Sequence, residues 1–336
     1  MIVTVTLNAA LDVTYAVDGV DWNGVNRVHA VHRRAGGKGV NVARVLAALG
    51  HEVVVAGLAG GATGTAIEAD LAVAGLPSAL TPIAADSRST LVITGRRTAA
   101  GQDPGGDSKA VPLGAGQAPF TALFNEPGPE VTLTDLDRFI TTFHELIAGA
   151  DAVVLSGSLP RGVPTDFYAT LAAHARERGV PAIVDADGEP LRLAPPGRPS
   201  IIKPNAEELA RALATAPLSR QPGAKPDTLA GAEVLRRAGA ESVVVSMGAE
   251  GLVAVTPDGS WRARMPYAVH GNPTGAGDAL VAGLALGLAG ETPWPDRLRT
   301  AAALGAAAVA TPVAGEIDFE VYRNIHPQIG VEACPW

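Results

Sequence analysis

Cysteine is nearly absent: the 336-residue chain has one, Cys334, close to its carboxyl end. That excludes an intrachain disulfide and a thiolate metal cluster, and it fits a reducing compartment, so a cytoplasmic location is expected. Charge is sparse too, with 18% Asp, Glu, Lys and Arg and a formal net charge of −8. The balance speaks against nucleic acid or an anionic membrane as partner, while local basic groups could still hold a phosphorylated ligand. Aromatic residues make up only 4%, so any core must be aliphatic. Long apolar runs are missing, because 279–289 and 301–310 are too short to span a bilayer. The start, Met1-Ile2-Val3-Thr4-Val5-Thr6-Leu7, has no basic leader and reads as a strand, not a signal peptide. A soluble protein is expected.

Three familiar motifs are missing as well. Neither Gly36-Gly37-Lys38-Gly39 nor Gly60-Gly61-Ala62-Thr63-Gly64 has the Walker A spacing, and no G-x-G-x-x-G follows the first strand. The second absence weakens an oxidoreductase reading. Leu155-Ser156-Gly157-Ser158-Leu159-Pro160 offers small polar residues at a strand end. It lacks the G-x-S-x-G elbow, however, and no histidine is placed as a base, which discounts hydrolysis.

What is present is a chain with 47% hydrophobic residues, long enough to bury a sizeable core. β-Branched runs at 2–7, 53–57, 152–156, 182–185, 201–203 and 242–246 alternate with alanine-rich helical segments. The helical segments fall at 40–49, 66–74, 133–147, 165–178, 206–214, 229–238, 276–288 and 295–310. The alternation predicts an α/β fold, a mainly parallel central sheet flanked by helices. Residues 13–34 and about 80–130 break the rhythm and predict a small antiparallel β-sheet lid. The core is then 1–12, 35–79 and 131–336, and 99–118 is a Gly- and Pro-rich insertion at a hairpin tip.

Chemistry concentrates where strands end and helices begin. Gly275-Ala276-Gly277-Asp278 opens an apolar helix, so small residues leave backbone amides free to form an anion hole. Asp278 in the first turn can then accept a hydroxyl proton beside the bound anion. The helix terminus is expected to keep it ionised and weakly basic. An ordinary N-terminal helix acid is the plainer alternative.

Gly36-Gly37-Lys38-Gly39-Val40-Asn41 opens another helix, where Lys38 adds positive charge and Asn41 can reach a hydroxyl. In Lys203-Pro204-Asn205-Ala206-Glu207-Glu208, Asn205 and Glu208 could hold the water shell of Mg²⁺. From the residues alone, a capping box of Asn205 with Glu208 is the likelier reading there. Ser246 and Gly248, at the end of a buried strand, suit nucleotide phosphates or merely a tight corner.

Together these motifs resemble the ribokinase-like (PfkB) family of carbohydrate kinases over nearly the whole chain. The likeness is strongest to the branch of 1-phosphofructokinase, tagatose-6-phosphate kinase and a minor 6-phosphofructokinase. It is carried by Thr6–Asp12, Val25-Asn26-Arg27-Val28, 35–46, 156–160, 202–209 and Asn272–Asp278. The resemblance implies that Asp278 is the catalytic base, with Gly275, Ala276 and Gly277 as its anion hole. Asp12, Gly37 and Asn41 would hold sugar hydroxyls. Lys203, Asn205, Ser246, Gly248 and Gly251 would face ATP, and Glu208 with Asn205 would hold Mg²⁺ through water. The lid would close over the sugar and, as in many relatives, could form a homodimer.

Lys38 and Arg88 match that branch's cations for a second phosphate, with Arg27 assisting, which makes a ketohexose phosphate the expected acceptor. Fructose 1-phosphate, tagatose 6-phosphate and fructose 6-phosphate are not separated. The alternatives are a kinase for an unphosphorylated sugar or nucleoside, and a non-catalytic sugar-phosphate sensor. The chain departs from the pattern at Asn8-Ala9-Ala10 and at Asp185-Ala186-Asp187-Gly188, the latter placing an extra acid near the nucleotide. The insertion would bring Arg96, Arg97 and Lys109 to the cleft mouth.

Overall fold

The computed structural model describes residues 1–96, 119–214 and 228–334. The expected hairpin tip at 99–118, with Lys109, lies outside the described residues, as do Arg97 and the side chain of Arg96.

The chain opens with β1 (Ile2–Thr6), buried at every position, then β2 (Ala10–Val17) and β3 (Ala30–Gly36). α1 (Lys38–Ala48), β4 (Val53–Gly60), α2 (Gly61–Val73) and β5 (Ser78–Ile83) follow. β6 (Arg88–Arg96) and β7 (Pro119–Asn125) come next. A regular alternation then runs through α3 (Leu133–Ile147), β8 (Ala152–Ser156), α4 (Phe167–Glu177) and β9 (Ala182–Asp185). It continues with α5 (Gly188–Leu193), β10 (Ile201–Ile202), α6 (Ala206–Ala214), α7 (Thr228–Arg237) and β11 (Ser242–Ser246). The carboxyl region adds β12 (Leu252–Thr256), β13 (Gly259–Arg264), α8 (Ala276–Ala289), α9 (Trp294–Val309), α10 (Phe319–Ile325) and β14 (Gly330–Cys334).

Ten strands form the main sheet in the order β14-β13-β12-β11-β10-β9-β8-β1-β4-β5. From β11 to β5 every pairing is parallel, and β11 to β14 form an antiparallel edge. The central strands are continuous apolar runs because helices cover both faces. Two cores result: an aliphatic one under α1, α8 and α9, and one under α3 and α4 in which Phe139, Phe143, Phe167 and Tyr168 join the aliphatic side chains. α3 shows how locally this is written. Thr132 and Asp135 form a reciprocal capping box, and Leu136, Phe139, Phe143 and Ile147 recur on the buried face.

The small sheet has the order β3-β2-β6-β7. Its β2–β6 pair is parallel, unlike the expected antiparallel set, because α1, β4, α2 and β5 intervene and bring β6 back in the same direction. Three expected boundaries also move, the first because β3 of the small sheet runs on through Ala35 and Gly36. β5 pairs with β4 in the main sheet, so 80–83 belong there, and Asp12 lies inside β2 of the small sheet. No helix among the described residues is long and apolar enough to cross a membrane. β1, β8, β9, β10 and β11 all end on one edge, which brings Thr6, Ser156, Asp185, Lys203 and Ser246 to a common rim.

Candidate active site

α8 begins at that rim. Gly275 caps it at φ 85, and a Cβ there would lie 2.8 Å from the Ala314 side chain, so glycine is required on two counts. The Ala276 amide donates to Pro273 O at 3.2 Å, so it is not the free donor expected of it. The Gly277 and Asp278 amides take no hydrogen bond among the described residues, leaving a smaller anion hole than the motif suggested.

Asp278 is buried, 7% exposed, and its Oδ2 accepts from Asn41 Nδ2 at 2.8 Å. Burial pushes its pKa up from 3.8 to about 7, and the nearby Asp185 charge adds to the rise. The Asn41 hydrogen bond and the Lys38 and Lys203 ammoniums oppose it without cancelling it. The expectation of a weakly basic, firmly ionised carboxylate is therefore corrected: desolvation outweighs the helix terminus. A carboxyl that titrates near neutrality is a stronger proton acceptor.

Two lysines meet on one oxygen beside it. Lys38 Nζ and Lys203 Nζ lie 3.3 and 3.2 Å from Asp185 Oδ1. Burial alone would depress the Lys38 pKa, but the carboxylates of Asp185, Glu208 and Asp278 outweigh it and raise the value. A Cβ built on Gly277 would lie 3.8 Å from Lys203 Nζ, which puts that ammonium at the start of α8. Asp185 Oδ2 is buried without a partner. The sequence marks Asp185 only as part of a departure from the family pattern; its place between two lysines comes from strand ends that meet in the fold.

The helix-opening glycines have packing work as well. A Cβ on Gly36 would run into the Asp12 carboxylate at 2.0 Å, so the missing side chain lets Asp12 lie against this turn. Gly37, at φ 115, packs against Thr6. Burial raises the Asp12 pKa, against the opposing pull of the Thr90 hydrogen bond and of Arg88, Arg34 and Arg44.

A cavity of about 690 Å³ opens beside this cluster. Lys38, Arg88, Asn8, Ser158 and Arg161 line it, and so do Asp187, Glu189 and Glu208. Arg88 Nε donates to Asn8 O at 3.1 Å, and Asn8 Nδ2 donates to Ser158 Oγ at 3.0 Å. Asp278, Asn41 and Asp12 do not line the cavity; Lys38, which does, links it to the base through its charge. Arg27 sits exposed between β2 and β3 and does not line the cavity.

Residues 5–103 and 121–318 match the sequence model of the pfkB family carbohydrate kinases. The chain belongs to that family. Escherichia coli phosphofructokinase-2 in complex with potassium superposes with a TM-score of 0.83 at 28% identity, over 97% of this chain and 98% of that one. The same protein in complex with fructose-6-phosphate gives 0.79 at 27%, again over 97% and 98%. A Thermotoga maritima structure described as a possible 1-phosphofructokinase gives 0.79 at 25%, over the full length of both chains. These similar structures are of phosphofructokinases and of a possible 1-phosphofructokinase.

In the kinase, Asn205 and Glu208 form the capping box that was the plainer expectation. Asn205 Oδ1 accepts from Glu208 N at 2.8 Å, and Glu208 Oε2 accepts from Asn205 N at 2.7 Å. Asn205 also bridges to Ser246, whose amide donates to Pro204 O at 3.1 Å. Gly248 faces open space, but a Cβ on Gly251 would meet Ala263 O at 2.1 Å, so Gly251 serves the β11–β12 turn. The donors along this wall are the carboxylates of Asp187, Glu189 and Glu208 and the Asn205 amide oxygen, a hard oxygen set that suits Mg²⁺. Among the described residues, however, no three titratable ligands converge on one point. Asp187 is paired with Arg211 at 2.9 Å, and Glu189 bonds Arg192. The extra acid at 187 is thus neutralised locally. Such a wall fits a cation that keeps most of its waters.

Proposed function

We propose that this kinase transfers the terminal phosphoryl group of ATP to a hydroxyl of a ketohexose phosphate, with Asp278 as the base. The observation that carries the reading is the buried Asp278 carboxyl, bonded to Asn41 and set at α8 amides without a partner among the described residues, beside a cavity holding Lys38 and Arg88. Asp278 would take the proton from the attacking hydroxyl as the phosphoryl group arrives. The Gly277 and Asp278 amides and the Lys203 ammonium would face the charge on the moving group. Asp12 and Asn41 would orient the sugar, and Ser246 and Gly248 would face the nucleotide. Glu208 and Asn205 would hold Mg²⁺ through water, and that ion, when bound, neutralises nucleotide phosphate charge. Lys38 and Arg88 would hold the phosphate the substrate already carries. Arg27 would have to be brought in by movement of its loop.

A kinase for an unphosphorylated sugar or nucleoside is the second reading. It is favoured by the Lys38–Asp185 contact, which already occupies one of the two cations. ATP turnover across fructose 1-phosphate, tagatose 6-phosphate, fructose 6-phosphate and the free sugars separates the two. We also propose a cytoplasmic homodimer joined through the small sheet, where Val31, Leu123 and Phe124 are exposed. Sedimentation velocity tests it, and a monomer at every concentration would exclude it.

A further inference from the structure

We propose that Arg161 is a third cation for the substrate's own phosphate, and that Glu130 competes for it while the cleft is empty. The inference rests on the sugar-phosphate reading above. Arg161 lines the same cavity as Lys38 and Arg88. Its backbone is fixed, since its carbonyl accepts from Val131 N at 2.9 Å and residues 130 and 161 form a bridge. Its side chain is not fixed. Arg161 Nε is 3.8 Å from Glu130 Oε2, with the two side chains 63% and 66% exposed. An exposed pair at that separation contributes little and exchanges readily.

The neighbouring polar groups point the same way. The loop after β7 that carries Glu130 also supplies Glu126 O, which accepts from Arg88 at 3.5 Å. The loop after β8 that carries Arg161 also carries Ser158, held by Asn8 at 3.0 Å. Arg88, at the start of β6, and Arg161, on the loop after β8, therefore flank Asn8 and Ser158. The other two cations are partly engaged, because Lys38 is 3.3 Å from Asp185 and Arg88 Nε is bonded to Asn8 O. A phosphate dianion entering here meets incomplete neutralisation unless another guanidinium turns to it. Arg161 has the weakest existing partner and a planar fork suited to two phosphate oxygens.

A purely structural pair makes a different prediction, because removing either partner would then have the same effect. The test is steady-state kinetics with the best phosphorylated ketose at saturating Mg-ATP. Arg161→Gln is expected to raise KM for that ketose roughly tenfold to a hundredfold, the loss of one charge-assisted bond, with little change in kcat or in KM for ATP. Glu130→Gln is expected to lower the same KM by about twofold to fivefold, because the competitor is gone. Arg161→Lys should recover part of the loss. Shifts of KM in one direction for both Gln variants, or an unchanged KM in Arg161→Gln, overturn the inference while leaving the sugar-phosphate reading intact. Failure of the unmodified kinase to use any phosphorylated ketose overturns both.

Discussion

The pH dependence of turnover follows directly from the burial of Asp278. Its carboxyl titrates at about 7. If the base must be ionised, about one-tenth of the enzyme is competent at pH 6 and about one-hundredth at pH 5. kcat/KM should therefore fall about tenfold per unit below pH 7, whereas a carboxylate at its ordinary value would give a flat profile over that range. The substrate phosphate adds its own step near pH 6, so a second variant is needed to assign the limb. Asn41→Ala supplies it by removing the 2.8 Å bond that favours the charged form. A charge-assisted bond contributes about 1.5–3 kcal/mol, so the enzyme limb should move upward by about one to two pH units. The substrate step should stay where it is. Initial rates from pH 5 to 9, measured with both proteins, give the comparison. A limb below pH 5, or one unmoved by Asn41→Ala, would refute the assignment.

Three further outcomes are expected. Unfolded, Asp278 loses its proton near 3.8, and folded near 7, so folding takes up a proton between those values and stability falls as pH rises through them, by about 4 kcal/mol in total. Asp278→Asn should remove that slope and be more stable than the parent at pH 8 by chemical denaturation, with the difference shrinking towards pH 5. Lys38→Ala and Arg88→Ala should each lower kcat/KM about tenfold or more for phosphorylated ketoses and much less for any free sugar, as competition assays would show. Gly275→Ala meets both φ 85 and a 2.8 Å contact with Ala314, so it should destabilise the chain by about 1–3 kcal/mol and lower kcat, measured by thermal denaturation and turnover.

The fold was legible where one physical rule dominated. Continuous β-branched runs marked six of the seven parallel strands, β5 having been placed in the lid, and α6 begins at the Asn205–Glu208 capping box that its residues suggest. The antiparallel edge was harder, because β13 and β14 are only partly buried and lack a continuous apolar run. The direction of β6 depends on the whole crossover that precedes it, which no local pattern records. At the site, Gly275 and Asp278 stand out by spacing alone. Asp185 and Arg161 do not, since their roles arise from strand ends and loops that meet only in three dimensions. The pKa of Asp278 was misjudged for the same reason: a helix terminus is visible in sequence, and the burial that overrides it is not.

Turnover of Mg-ATP by the purified kinase and by Asp278→Asn, across the three ketohexose phosphates and their free sugars, tests the central claim most directly. At least one phosphorylated ketose should be converted to a bisphosphate, and the Asn variant should lose about a thousandfold or more in kcat while still binding that ketose. Turnover confined to free sugars, or an Asn variant that keeps its rate, would contradict it.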